Sequence, residues 1–157
     1  MLVSDVLTKM SNRMFEYDAF TNAQLIDFIN DSIDQLANVL IELDDALLTN
    51  SVTLAGATNK PTGFVRPVPK NGYPVAITST QLVPYTSASV TMKYAFTPTH
   101  IANVNDTIPY PDYLCGILAT TAVMICQNKF LYDLTQDTNA KNQVIAELAK
   151  ARGGNSA

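Results

Sequence analysis

Between Thr21 and Leu48 the apolar residues fall at Leu25, Ile29, Ile33, Leu36, Leu40, Leu43 and Leu47. The steps are of four and three, which traces one face of a helix. Thr21 and Gln24 make the spacing of a capping box ahead of it. No Gly or Pro interrupts the stretch, so it predicts an amphipathic helix of roughly 25 residues, about twice the usual length. Upstream, Val6, Leu7, Met10 and Met14 predict a shorter helix over Asp5–Phe15 with Ser4 as its cap. In the link Glu16–Phe20, Tyr17 and Phe20 are expected to tuck under the long helix.

The period then changes. Val52 and Leu54 alternate with Ser51 and Thr53, a strand pattern within Thr49–Ala57. Ala57–Pro74 holds Pro61, Pro67, Pro69 and Pro74, which argue against a central strand and predict a long projecting loop with a tight turn at Asn71–Gly72. Phe64 and Val65 are its expected anchor. Val75–Val83 reads as one strand. Ser89–Phe96 alternates most cleanly, with Val90, Met92, Tyr94 and Phe96 on one face. Two or three strands in a small antiparallel sheet, its apolar face towards the helices, are expected.

Thr97–Pro109 is a connector. Pro111 and Asp112 suit a helix start. Tyr113–Asn128 carries no charge and is apolar nearly all round, with Leu114, Ile117, Leu118, Thr121, Ile125 and Phe130 on one side. It should be the most buried element. A last helix from about Asp137 to Arg152 is expected to turn Ala140, Val144, Ala146, Leu148 and Ala149 inward, before a tail at 153–157. The fold class is therefore α+β and mainly α: a helical bundle of a short helix, a long helix and a C-terminal pair, with a small antiparallel sheet and a long Pro-rich loop. A single domain over 1–152 is expected from the chain length of 157 residues.

Charge adds one feature. The net charge of -4 divides into -7 over residues 1–50, +3 over 51–110 and zero over the rest. This is not the clustered basic footprint of a nucleic-acid binder. It permits head-to-tail charge contacts between copies. Asp27, Asp31 and Asp34 form an acidic row on the long helix, read first as a solvated face. A row on a rigid rod does not gather ligands around one metal ion.

Candidate chemistry is sparse. His100 is the single histidine, and no nucleophile-elbow, P-loop, HExxH or CxxC motif occurs. The nearest polar constellation for an enzyme would be Tyr94, His100 and Asp106, which lacks a nucleophile with its base. No catalytic residue, cofactor or metal is expected. Cys115 and Cys126 lie eleven positions apart on one predicted helix. That spacing is about 16 Å, too far for a disulfide, and implies buried reduced thiols. Residues 2–10 lack the basic start of a signal peptide. Tyr113–Cys126 is shorter than the roughly 20 residues of a membrane span, so a soluble intracellular protein is expected.

Three stretches resemble the head-to-tail adaptor, or connector, proteins of tailed bacteriophages. TNAQLIDFINDSIDQL is similar to an early helix with an "LL-x-x-(I/L)-N-(D/E)-A" pattern, here Leu25, Ile26, Ile29, Asn30 and Asp31, with Ser32 where Ala is common. VTMKYAFTPTHI resembles a strand ending in Lys/Arg-Tyr before a Pro. NDTIPYPDYLCGILATTAVMICQNKF resembles a "D-x-(I/L)-P-x-P-(D/E)" lead into a C-terminal helix hairpin. The chain departs from that pattern in its long middle loop and in acids that come late, at Asp133 and Asp137.

The resemblance implies a structural virion protein and not an enzyme. Copies would form a homo-oligomeric ring, commonly of twelve, beneath the portal protein at the capsid–tail neck. The ring would continue the channel for passing double-stranded DNA and receive the tail or next neck protein. Asp27, Asp31 and Asp34 would then be candidates to face the lumen. Phe64, Arg66 and Lys70 are candidates for a neighbouring subunit or the tail, and Lys150 and Arg152 for the portal. The alternatives are another neck or tail-completion ring, or a small cytoplasmic regulatory or DNA-binding module.

Overall fold

A computed structural model describes the backbone of residues 1–14, 16–131 and 134–153. The side chains of 129–138, 140 and 152–153 lie outside the described residues, and with them the expectations for Phe130, Ala140 and Arg152. The protein is mixed helix and sheet. Its four helices are α1 (Val3–Ser11), α2 (Asn22–Glu42), α3 (Cys115–Leu131) and α4 (Leu134–Gly153). Its six strands are β1 (Thr49–Leu54), β2 (Thr58–Asn59), β3 (Phe64–Pro67), β4 (Val75–Ile77), β5 (Gln81–Pro84) and β6 (Val90–Phe96). The chain divides into two compact units, one of Met1–Val39 with Thr99–Ala157, the other of Leu40–Pro98.

In the first unit α2 begins as its sequence predicts. The Thr21 N–H donates to Gln24 Oε1 at 3.0 Å and the Gln24 N–H donates to Thr21 Oγ1 at 3.3 Å. Leu25, Ile29, Ile33 and Leu36 are buried, and so are Ile26, Phe28, Ser32 and Ala37. Most of the helix circumference is therefore covered. Phe20 packs edge-on against Phe28 with ring centroids 5.6 Å apart. α3 is the buried rod expected from its uncharged run: Cys115, Leu118, Ala119 and Ala122 are fully inaccessible. Cys115 and Cys126 are both buried, and no disulfide joins them. Burial pushes the Cys115 thiol up from its ordinary range.

Three expectations in this unit need correcting. α1 starts at Val3 and ends at Ser11, so Ser4 lies inside it. Asp5 does the capping, accepting the Leu2 N–H at 3.0 Å. The Val3 and Ser4 N–H groups donate to the Asp106 and Val104 carbonyls, which supplies the partners an opening turn lacks. Secondly, Pro111 caps a 3-10 turn at Asp112–Leu114, and α3 follows at Cys115. Thirdly, α4 turns Val144 and Leu148 inward but leaves Ala146 and Ala149 exposed. Small methyl groups gain little from burial, so the two larger side chains set the rotation of the helix.

In the second unit α2 stops at Glu42, short of the expected Leu48, and Leu43 is 55% exposed. The stop is a Schellman motif. Asp44 takes a positive φ of 52°, the Asp44 N–H donates to the Ile41 carbonyl, and the Asp45 N–H donates to the Leu40 carbonyl. Leu47 falls in a 3-10 turn that Asp45 caps.

The strands form two antiparallel sheets, ordered β1-β6-β3 and β2-β5-β4, where one sheet was expected. Leu54, Leu82, Met92 and Tyr94 are their shared buried cluster, with Phe64, Tyr73 and Phe96 packed on it. The alternation of β6 holds from Thr91 to Tyr94, with Met92 and Tyr94 buried and Thr91 and Lys93 exposed, but Ala95 on the second face is buried as well. Val75–Val83 is not one strand: a turn at Thr78–Gln81 divides it into β4 and β5.

Nor is Ala57–Pro74 a projecting loop throughout, since it supplies β2 and β3. Its prolines are compatible with strands because β2 and β3 are short and lie at sheet edges. Gly63 has φ 73°, and a Cβ there would meet the Thr97 carbonyl oxygen at 2.5 Å. That close approach starts the β3–β6 pairing. The expected turn sits one residue earlier, over Pro69–Gly72, closed by the Gly72 N–H to the Pro69 carbonyl.

Candidate functional site

The residues of the three notable sequence stretches in the first unit converge along α2. Asn30, in the middle of the helix, reads the connector backbone at two points. Its Nδ2 donates to the Ile101 carbonyl and its Oδ1 accepts the Ile101 N–H, both at 3.0 Å. One turn on, Asp34 Oδ1 lies 2.9 Å from His100 Nε2, with both side chains about half exposed. The buried Tyr110 hydroxyl donates to the Ile33 carbonyl at 3.0 Å. Burial, with Asp34 nearby, holds that phenol above its ordinary ionisation range.

Asp106 finishes the connector. Its Oδ2 accepts the Ala102 and Asn103 N–H groups at 2.8 Å each, and these bonds hold its carboxyl below the usual carboxylate range. The turn so formed presents the Val104 and Asp106 carbonyls to the start of α1. Asn30 and Asp106 join elements by side-chain bonds to backbone. Neither stands out in the sequence, since Asn30 is flanked by Ile29 and Asp31 and Asp106 by Asn105 and Thr107.

Within the acidic row, Asp27 and Asp31 are exposed while Asp34 is partnered by His100. His100 is thus a half-exposed surface residue in contact with the Asp34 carboxylate.

A groove of about 550 Å³ runs along α3 and α4, lined by Arg13, Tyr113, Thr120, Met124, Glu147 and Lys150. The Arg13 guanidinium donates to the Gly116 carbonyl and to Thr120 Oγ1. Lys150 sits at the rim, 2.9 Å from Glu147. The charged side chains lining the groove, Arg13, Glu147 and Lys150, are each engaged by protein neighbours.

In the second unit the expected contact residues are engaged locally. Phe64 packs against Tyr94 with centroids 5.6 Å apart, and Lys60 Nζ lies 5.5 Å from the Phe64 ring centroid. Arg66 closes the end of α2, donating to the Ile41 carbonyl and to Asp44 Oδ1 at 2.6 Å each. A cation at a helix C-terminus meets the negative end of its dipole. Of the three, Lys70 alone is exposed, in the Pro69–Gly72 turn.

Among the described residues no three His, Cys, Asp or Glu side chains gather as a metal site. No described helix is long and apolar enough to cross a membrane. No protein-family model matches the chain, and none of the curated proteins compared with it does.

Proposed function

We propose that this protein is a head-to-tail adaptor of a tailed bacteriophage, a structural ring protein beneath the portal at the capsid–tail neck. The observation that carries the reading is the way the resembling stretches interlock. Asn30 of the early-helix pattern holds Ile101 of the strand-and-connector stretch, and Tyr110 of the IPYPDYL stretch holds Ile33. Two residues at fixed positions of the likeness, Asn30 and Asp106, are among the side chains that tie the first unit together, while Tyr110, Ile33 and Ile101 lie within the stretches but outside those fixed positions. The element order agrees: short helix, long helix, β region, then a helix pair.

In this reading copies assemble as a ring, commonly of twelve in such proteins, which continues the DNA channel without gripping its cargo. A basic lining would bind phosphate in a salt-dependent way, and an acidic one would not. Asp27 and Asp31, exposed on α2 beside Asp34, suit a lumen wall. The α3–α4 groove with Lys150 is the surface offered to the portal. Lys70 and its turn are offered to a neighbouring subunit or the tail.

The direct test is quantitative mass spectrometry on purified virus particles from the source culture. About one copy per portal subunit is expected. Absence from particles, with abundance in cells, would remove the reading. The lumen assignment is tested separately by changing Asp27, Asp31 and Asp34 together to Lys. Slowed ejection or altered DNA retention is expected, and unaltered behaviour would place the row elsewhere.

A further inference from the structure

The four outer strands of the two sheets are β1, β3, β2 and β4, and three of them carry a device that discourages further pairing. β2 is two residues long and runs into Lys60 and Pro61. β3 has a bulge between Phe64 and Arg66 and ends at Pro67. β4 has three residues and follows Pro74. Short length, bulges, proline and charge are the usual ways a sheet edge is closed to other chains.

β1 has none of them. It is TNSVTL, six residues in unbroken register with β6 from Thr49↔Ala95 to Leu54↔Val90. It has no charge, no proline and no bulge. Among the described residues, its backbone makes no hydrogen bond to any strand but β6. The Ser51 N–H is instead taken by the neighbouring Asn50 Oδ1 at 2.8 Å, a stand-in for the carbonyl of a further strand. Asn50, Ser51 and Thr53 are exposed.

We infer that β1 pairs antiparallel with β1 of a second copy of this chain, joining two sheets into one of six strands. Two observations select the copy over another partner. An uncharged strand meets itself without like-charge repulsion, whereas an edge built for a distinct partner gains specificity from charge. And a chain with one open edge satisfies it on both sides by a two-fold pairing, because a head-to-tail contact needs a second open edge. Register follows from the side-chain alternation. Val52 and Leu54 of both copies must share a face, and the outward N–H of Ser51 must bond across. The two-fold axis therefore passes at Ser51, opposite its own copy, with Thr49 opposite Thr53. Hydroxyl pairs suit this strand, since Thr53 and Thr91 already share a hydrogen bond at 2.9 Å. The pairing is a property of the free chain and does not rest on the adaptor reading, in which ring assembly on the portal would replace the two-fold contact by a head-to-tail one.

The test is sedimentation velocity on the full chain over a wide concentration range, with Ser51→Lys and Ser51→Pro beside it. The exposed Ser51→Lys places two like charges directly opposite each other. Ser51→Pro removes an N–H that the β6 ladder does not use. The wild type should run as two chains that separate on dilution, and each variant should weaken that association at least about tenfold while keeping its far-ultraviolet circular dichroism. A single-chain mass for the wild type at every concentration overturns the pairing. So does a two-chain mass that Ser51→Lys leaves intact, or a closed ring formed by the free protein. Should Ser51→Pro fail to fold, Ser51→Lys decides the matter alone.

Discussion

Tyr73 and Tyr110 each donate a phenolic hydrogen to a backbone carbonyl, yet losing the two hydroxyls should have unequal effects. Tyr73 stands between β3 and β6. Its hydroxyl donates to the Val68 carbonyl at 2.9 Å and accepts the Lys93 N–H at 3.0 Å. Tyr73→Phe takes a partner from both backbone groups, and two lost hydrogen bonds at about 0.5–1.5 kcal/mol each cost about 1–3 kcal/mol together. The Ile33 carbonyl that Tyr110 touches lies inside α2, where a helical bond already serves it. Tyr110→Phe should therefore cost about 0.5–1.5 kcal/mol. Urea unfolding of the two variants checks the order, and a larger loss for Tyr110→Phe would show that the Tyr73 bridge is dispensable. Neither role could be read from the sequence. Both tyrosines sit in ordinary alternating or Pro-flanked contexts, and only the fold brings residues 68, 73 and 93 together.

Helix ends are where the elements of this protein are decided. Arg66 meets the close of α2 through Ile41 and Asp44, where Asp44 holds a left-handed backbone usually given to Gly. Arg66→Met should lower stability by about 1–2 kcal/mol, the worth of a partly exposed cation on a helix terminus, measured by thermal or urea unfolding. At the start of α1, Asp106 organises the turn whose carbonyls receive the first amides. Its folded ionisation lies below the ordinary value, so its contribution is present above about pH 4 and is lost as pH falls through the folded value. The stability difference between wild type and Asp106→Asn should thus shrink on acidification across that window. A difference that stays constant down to the lowest pH would break the linkage.

The same ends explain what was legible beforehand. α2 and α3 could be read because their apolar spacing runs unbroken, and the Thr21–Gln24 cap because both partners are local. The stop at Glu42 could not, because Leu43 and Leu47 continue the stripe and no Gly marks the left-handed residue. β2 and β3 were hidden by prolines that edge strands tolerate. The face of α4 is not legible because alanines fit either side of a helix. Of the candidate contact residues, the exposure of Asp27 and Asp31 followed from their solvated spacing. The His100 contact to Asp34 and the Arg66 contact to Asp44 join residues far apart in sequence, and no local pattern announces them.

At the scale of the whole molecule, the first unit is assembled from two separated stretches, with residues 40–98 between them. That arrangement has a consequence for the order in which the protein is made. The strands from Thr49 to Phe96 are contiguous, so their unit is complete as soon as it leaves the ribosome. α1 and α2 emerge earlier but find their connector and α3 only after about 90 more residues, a wait of roughly 5–20 seconds at ordinary elongation rates. Through that interval a helix with apolar residues on most of its circumference has no cover. The nascent chain is thus most exposed to chaperones and proteases before its oldest residues have found their place, and slow codons between positions 42 and 115 would lengthen that exposure.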